Sequence, residues 1–420
     1  MTTTGTMRTE RSFFTAGLAR MGGKARAWLR KARTAAALGL GLALAGCGGG
    51  FGDMFSDIGP GADQQLAQPQ QTAPKQPAAT GTKVALLLPL SAGGSLGSLA
   101  RAMKNSAEMA MIDAGNPDIT LVVKNTAGTP AGARMAAQAA LEEGAGLILG
   151  PLLAGNVREV GAQARARRVP VIAFSSRAEV AGNGVYLMSF LPSSEVDNVI
   201  RHAAKTGKTR LAALIPATDY GRVTGAAMDR AARKYGVSIV AREQYVRTRL
   251  GLRAPAQRIG QTIAAGQADA LFFPEGPKLL AAGGRVLSAA GVLPQSVQLL
   301  GTGLWDTPKI RTVSFAHGGW YAGVDPRLVQ HFANKYRQTY GKTPPRLASL
   351  AYDATSLAIA LKRHGGFNDA AITNPEGFQG MNGLFRFRRN GIIERGLAIL
   401  RVTPTGPQVV APAPARFSGS

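Results

Sequence analysis

Apolar residues recur along this chain with two different periods. Short unbroken runs lie at 83–90 (KVALLLPL), 119–125 (ITLVVKN), 147–149, 170–175 and 185–190. Between them, at 96–114, 131–143 and 153–165, apolar residues fall three and four apart. Unbroken runs bounded by turns mark strands buried on both faces, and the longer spacing marks helices. The pattern restarts at 210–216 (RLAALIP), with a helix expected at 221–235 and a strand at 238–245. Helix 255–265, strand 270–274, helix 276–290 and strand 298–301 follow, then strand 320–324 and helices 326–340 and 346–364. Alternating strands and helices predict βαβ units and a mostly parallel sheet, and the restart predicts two such lobes. Near the end the period shortens to two. GLFRFRRNGIIERGLAIL alternates around Asn390-Gly391, which predicts a hairpin.

The chain has 420 residues, 45% hydrophobic and 17% charged, enough for two packed lobes and too apolar for global disorder. The start is different in kind. Residues 1–33 carry eight basic side chains and one acidic, and an Ala-Leu-Gly run at 34–45 follows, ending in Leu44-Ala45-Gly46-Cys47. A basic stretch before a short apolar one is the layout of a secretory signal. Residues 48–82, with AQPQQTAPKQPAAT at their centre, are too poor in large apolar groups to pack, and predict a tether. The expected division is a leader at 1–46, a tether at 47–82, lobe 1 from 83–192 and 325–372, and lobe 2 from 193–324 and 373–410. A disordered tail is expected at 411–420. The formal net charge is +25, of which the leader supplies +7.

Several chemistries find no support. A single cysteine excludes an intramolecular disulfide framework and a cysteine-cluster zinc site. The four histidines (His202, His317, His331, His364) give no pair at metal-ligand spacing on one helix face. No apolar run reaches the ~20 residues of a spanning helix. Gly144-Ala145-Gly146 precedes its strand, the wrong order for a dinucleotide turn. Gly93-Gly94-Ser95-Leu96-Gly97 matches a serine-hydrolase elbow in form only, since no earlier strand supplies an oxyanion donor. No cofactor and no catalytic residue are expected.

Leu44-Ala45-Gly46-Cys47 resembles the lipobox of bacterial lipoproteins. The resemblance implies that Cys47 is acylated, that the protein is anchored to a membrane in the periplasm, and, with Gly48 rather than aspartate next, that the outer membrane is its destination. Acyl chains at ~0.8 kcal/mol per buried CH₂ make such an anchor stable. From about 83 to 410 the element order resembles the type I periplasmic-binding-protein fold, the family of leucine/isoleucine/valine-binding proteins. The carriers are GPLLAGNV, VPVIAFSS, ATDYGRVTG and the late hairpin. Within that fold, LGTGLWD (300–306), GGWYAG (318–323) and PPRLASLAYDATSLA (344–358) are similar to the penicillin-binding protein activators. The resemblance implies a binding module rather than an enzyme. Its partner would be a peptidoglycan synthase or, as the alternative, the permease of an ABC importer for amino acids. Repressors of this fold carry a DNA-binding head where this chain carries the lipobox, so nucleic acid is not an expected partner.

Ligands of open α/β sheets lie at the carboxyl ends of the strands, and the candidates sit there. Ser175 and Ser176 end the fourth strand, where relatives hold a ligand carboxylate; turn capping is the plain alternative. Tyr220 opens a helix of the second lobe, where relatives place an aromatic against the ligand. Glu275 ends ALFFPE and would pair either a ligand ammonium or a neighbouring arginine. Leu90 and Ser91 line the first strand's turn. Relatives place a serine in the helix turn after Gly150-Pro151; here Gly155 and Asn156 stand there, which weakens the case for a free amino acid. Arginines cluster at 242, 247, 249, 253 and 258, and again at 386, 388 and 389, as a solvated face or one drawn to anionic groups.

Overall fold

The computed structural model describes residues 81–115, 117–293 and 295–417. Cys47, the leader and nearly all of the tether lie outside them. The first lobe opens with β1 (Thr82–Leu88), α1 (Gly94–Asp113), β2 (Ile119–Asn125), α2 (Pro130–Glu142), β3 (Leu147–Leu149), α3 (Ala154–Ala166), β4 (Val171–Ala173) and β5 (Val185–Leu187). These five strands form one parallel sheet in the order β2-β1-β3-β4-β5. Alternation explains the unbroken apolar run of β1. Val84, Leu86 and Leu88 enter one core, with Met103 and Ala107 of α1, while Ala85 and Leu87 enter the other, with Ala133 and Ala137 of α2.

The chain then crosses to a second lobe. It comprises α4 (Pro192–Lys205), β6 (Arg210–Pro216), α5 (Asp219–Tyr235), β7 (Ser238–Tyr245), α6 (Arg249–Ala264), β8 (Ala270–Phe272), α7 (Pro277–Ala289), β9 (Gln298–Leu300) and β10 (Trp320–Gly323). It returns for α8 (Pro326–Tyr340), α9 (Ala348–Arg363), α10 (Asp369–Ile372), β11 (Phe378–Gly380), β12 (Gly383–Phe387) and β13 (Ile393–Arg395). A last crossing adds β14 (Ala398–Thr403) and β15 (Gly406–Ala411) to the second sheet, whose order is β15-β14-β10-β9-β8-β6-β7. β6 to β10 run parallel; β14 and β15 are antiparallel to their neighbours. This is the expected two-lobed α/β architecture with a late hairpin.

Four expectations need correction. No element was expected at 192–205, yet α4 forms there. Val196, Val199, Ile200 and Ala203 recur at helical spacing and bury against the second sheet. Helix α6 begins six residues before the expected Pro255. The Thr248 hydroxyl accepts the Gly251 N–H at 3.0 Å and Leu252 is buried, so a capped, packed first turn outweighs the hydrogen bond lost at Pro255. The third concerns the lobe boundary. Residues 373–410 were all placed in lobe 2, but the β11-β12-β13 sheet belongs to the first core. Phe385, Phe387 and Ile393 pack with Leu350, Leu357 and Tyr186. The hairpin turn docks on the edge of β5, where the Gly391 carbonyl accepts the Leu187 N–H at 2.9 Å. Gly391 has φ +78°, and a Cβ there would lie 2.1 Å from the Val185 carbonyl oxygen, so glycine is required. Nor is 411–417 without contacts. The Arg386 guanidinium lies 4.4 Å from the centre of the Phe417 ring, and Pro414 covers Gly396.

Replacing Phe387 by alanine should therefore weaken the first lobe by about 3–5 kcal/mol. Calorimetric melting would read this as a clear fall in transition temperature. A loss under about 1 kcal/mol would mean that the ring fills no core space.

Candidate ligand cleft

Both sheets are apolar through their thickness, so polar side chains collect at the strand ends, where the lobes face each other. A cleft of about 510 Å³ opens there. Its walls come from the turn into α3 (Leu152, Leu153), the end of β4 (Ser175, Ser176, Arg177), the crossing after β5 (Ser189, Phe190), α4 (Glu195), α5 (Tyr220), the loop after β9 (Gly303, Leu304) and the approach to α9 (Arg346).

Of the expected residues, three line this cleft. Ser175 is buried and its hydroxyl accepts the Arg177 N–H at 3.2 Å, the turn role. Ser176 is exposed beside it. The Tyr220 hydroxyl sits 2.7 Å from the Thr302 hydroxyl, and burial pushes its pKa up. Leu90, Ser91 and Glu275 are not among the lining residues. Leu90 packs on the first core, and Ser91 pairs with Asn125, whose Nδ2 donates to its hydroxyl at 2.8 Å. Glu275 is 1% exposed and fully engaged. Arg247 donates to it twice, at 3.0 and 2.8 Å, and the Tyr245 hydroxyl at 2.9 Å. The arginine alternative holds for Glu275. Much of the arginine cluster is likewise paired: Arg242 with Asp229, Arg258 with Glu243, and Arg386 and Arg388 with Glu394.

The residues that dominate the cleft were not singled out from sequence. Glu195 is buried, and its carboxylate accepts the Gly303 N–H at 2.8 Å. A Cβ on Gly303 would come within 2.3 Å of that carboxylate, so only glycine admits the contact. Burial pushes the Glu195 pKa up to about 7, against the opposing pull of the Gly303 amide and Arg346. Arg346 binds Asp306 at 3.2 Å and lies 4.5 Å from the centre of the Phe190 ring. Arg177 reaches Asp219 at 3.6 Å. Both pairs join the first lobe to the second. Asn156, named from the sequence in the turn after Gly150-Pro151, is not among the lining residues; it is buried in the first turn of α3, and its Nδ2 has no partner among the described residues. Glu195 was missed because α4 was missed; the spacing of Val196, Val199, Ile200 and Ala203 behind Pro192 was the available signal. No sequence signal couples Arg346 to Asp306, forty residues away.

A cleft between two parallel-sheet lobes, lined from strand ends on both sides and spanned by three chain crossings, defines the two-lobed architecture in which open α/β sheets place their ligand sites. Residues 81–407 match the Periplasmic binding protein family, and the chain belongs to it. No curated protein matches the sequence. Among solved structures, a chain assigned to a branched-chain amino acid ABC transporter of Rhodospirillum rubrum is 18% identical, with TM-score 0.69, over 79% of this chain and 100% of that one. The LpoA (YraM) C-domain from Haemophilus influenzae, a regulator of PBP1A, is 17% identical, with TM-score 0.62, over 79% and 100%. A solute-binding protein of an ABC transporter from Rhodopseudomonas palustris BisB5, in complex with 3,4-dihydroxybenzoic acid, is 19% identical, with TM-score 0.55, over 81% and 98%. At these identities the likeness is one of fold.

The raised Glu195 pKa fixes the sign of a pH effect. The unfolded chain releases this proton near 4.5, whereas the folded chain holds it to about 7. Stability from this group is therefore fully present at low pH and lost as pH rises between those values, by on the order of 3 kcal/mol. Urea unfolding of the protein and of Glu195→Gln at about pH 5 and about pH 8 isolates it as a double difference. The variant should lose less stability between the two pH values; equal losses would mean that this carboxyl titrates alike in the folded and unfolded chain.

Proposed function

We propose that this chain is a lipid-anchored periplasmic protein that regulates a peptidoglycan synthase, a penicillin-binding protein, by direct contact. The observation that carries this reading is the state of the charges in and around the cleft, which are engaged with groups of the protein itself. Glu275 is clamped by Arg247 and Tyr245, Asp219 and Glu179 pair with Arg177, Asp306 pairs with Arg346, and Glu195 faces a backbone amide. Among the described residues lining the cleft, Glu195 is the only carboxylate, and it is buried against the Gly303 amide rather than open to a ligand ammonium. Two of the stretches that resemble the activators supply the part of this arrangement around Glu195 and Arg346. LGTGLWD supplies Thr302, Gly303, Trp305 and Asp306, and PPRLASLAYD supplies Arg346. Trp305 is buried beneath the cleft with its Nε1 donating to the Glu275 carbonyl at 3.0 Å. Lobes joined by their own ion pairs suit a module that presents a fixed surface. The leader and Cys47 supply the expected anchor, with the outer membrane as its site.

The second reading, a substrate-binding component of an ABC importer for branched-chain or other amino acids, draws on the cleft volume, the exposed Ser176 and the free Asn156 amide. The two readings separate in one pair of measurements. The full chain purified in detergent should bind a purified peptidoglycan synthase in biolayer interferometry and show no melting shift with the amino acids. A cleft ligand present at 100 Kd would add about 2.7 kcal/mol, a shift that is easy to see. A clear shift together with no synthase binding would discard the activator reading in favour of the importer.

A further inference from the structure

A second cavity, of about 400 Å³, shares no lining residue with the cleft. The two meet along α4: Pro192 and Glu195 line the cleft, whereas Ser193, Ser194, Asp197, Asn198 and Arg201 line the second cavity. Its other walls are Arg230 and Lys234 of α5 and, from the first lobe, Arg388 and Asn390 of the hairpin. Pro414 and Phe417 close one side. The cavity is therefore built by both lobes and by the final segment of the chain.

Its charge is unbalanced. Four cationic side chains (Arg201, Arg230, Lys234, Arg388) face it against two acidic ones (Asp197, Glu394). Both acids are already answered. Asp197 receives the Tyr235 hydroxyl at 2.9 Å and Lys234 at 3.5 Å. Glu394 receives Arg386 at 2.9 Å and Arg388 at 3.0 Å. Arg201 and Arg230 form no ion pair among the described residues; Arg201 donates only to the neutral side-chain Oδ1 of Asn198. A fifth cation, Arg395, also borders the cavity and is 2% exposed. Its Nε bonds the Ser189 carbonyl at 3.0 Å, and its Nη1 has no partner among the described residues. A buried guanidinium donor without an acceptor is costly unless an anion or water answers it.

We propose that this cavity is an anion site that takes a phosphate-bearing group. Arg201 and Arg230 hold the charge, Ser193, Ser194 and Asn390 offer neutral hydrogen bonds, and Arg395 adds positive potential behind them. Guanidinium groups suit a phosphate because they present paired donors to its oxygens. The volume exceeds that of a bare phosphate and admits a small organic body. Because α4 and α5 belong to the second lobe and the hairpin to the first, an occupant bridges the lobes and couples this site to the cleft on the other side of α4. The phosphate has two sources: a free phosphorylated small molecule or an anionic lipid headgroup.

Isothermal titration of the full chain in detergent with inorganic pyrophosphate tests the site. Saturable binding is expected, weakened about tenfold or more in Arg201→Ala/Arg230→Ala and by added salt. The charge-conserving Arg201→Lys/Arg230→Lys variant should keep most of the affinity, and Arg253→Ala, exposed on α6 and outside both cavities, should bind as the unmodified protein does. Two further arms identify the source. Binding of glycerol 3-phosphate without a preference for phosphatidylglycerol over phosphatidylcholine vesicles marks a free ligand. A vesicle preference that the double alanine variant abolishes marks a headgroup. Absence of pyrophosphate binding, or binding unchanged in the double alanine variant, overturns the proposal.

Discussion

The constraint on which the molecule depends is that each parallel sheet must be covered on both faces. β1 sends alternate residues into two separate cores, and β6 does the same, with Ala212 and Leu214 on one side and Leu211, Ala213 and Ile215 on the other. No polar side chain can occupy the middle of such strands without losing its water. Chemistry is thereby pushed to the strand ends and to the helix turns beside them. The cleft, its serines, its tyrosine and its ion pairs are consequences of that exclusion.

In and around the cleft, burial decides what each charge can do. Glu275 and Arg247 form a bidentate pair whose acid is buried, so the carboxylate is fixed in place. Arg346 is only a third exposed and contacts the Phe190 ring as well as Asp306, so its position is set by packing as much as by charge. The Arg177–Asp219 pair is exposed on both sides, and salt screens such pairs. The two links between the lobes are thus unequal. The inner one, at Arg346, is built into the walls, whereas the outer one, at Arg177, stands in solvent.

The fold was legible in the sequence because its strands are short apolar runs of one kind, repeated, and because Asn390-Gly391 can turn in few other ways. Boundaries failed where a tertiary contact overrode a local rule. Pro255 looked like a helix start, but Thr248 and Leu252 begin the helix earlier. The hairpin looked like the close of the second lobe, since it directly precedes β14, and only the packing of Phe385 and Phe387 assigns it to the first. At the site, strand-end position was sufficient to find Ser175, Ser176 and Tyr220. It could not reveal that Glu275 is occupied, because Arg247 reaches it from a different strand's loop. Nor could it reveal Arg346, which meets Asp306 only once the lobes are assembled.

The chain enters the first lobe at β1 and, after its excursions, comes back to that lobe when Phe417 settles beside Arg386. The second lobe is in effect a long detour spliced into the first, and the described chain both begins and finishes against first-lobe residues. β1 lies between β2 and β3, so a tug on the preceding segment would be borne by an interior strand sheared along its neighbours. Mechanical load on that segment would therefore enter the molecule through the first lobe and reach the second across the chain crossings and the ion pairs between the lobes.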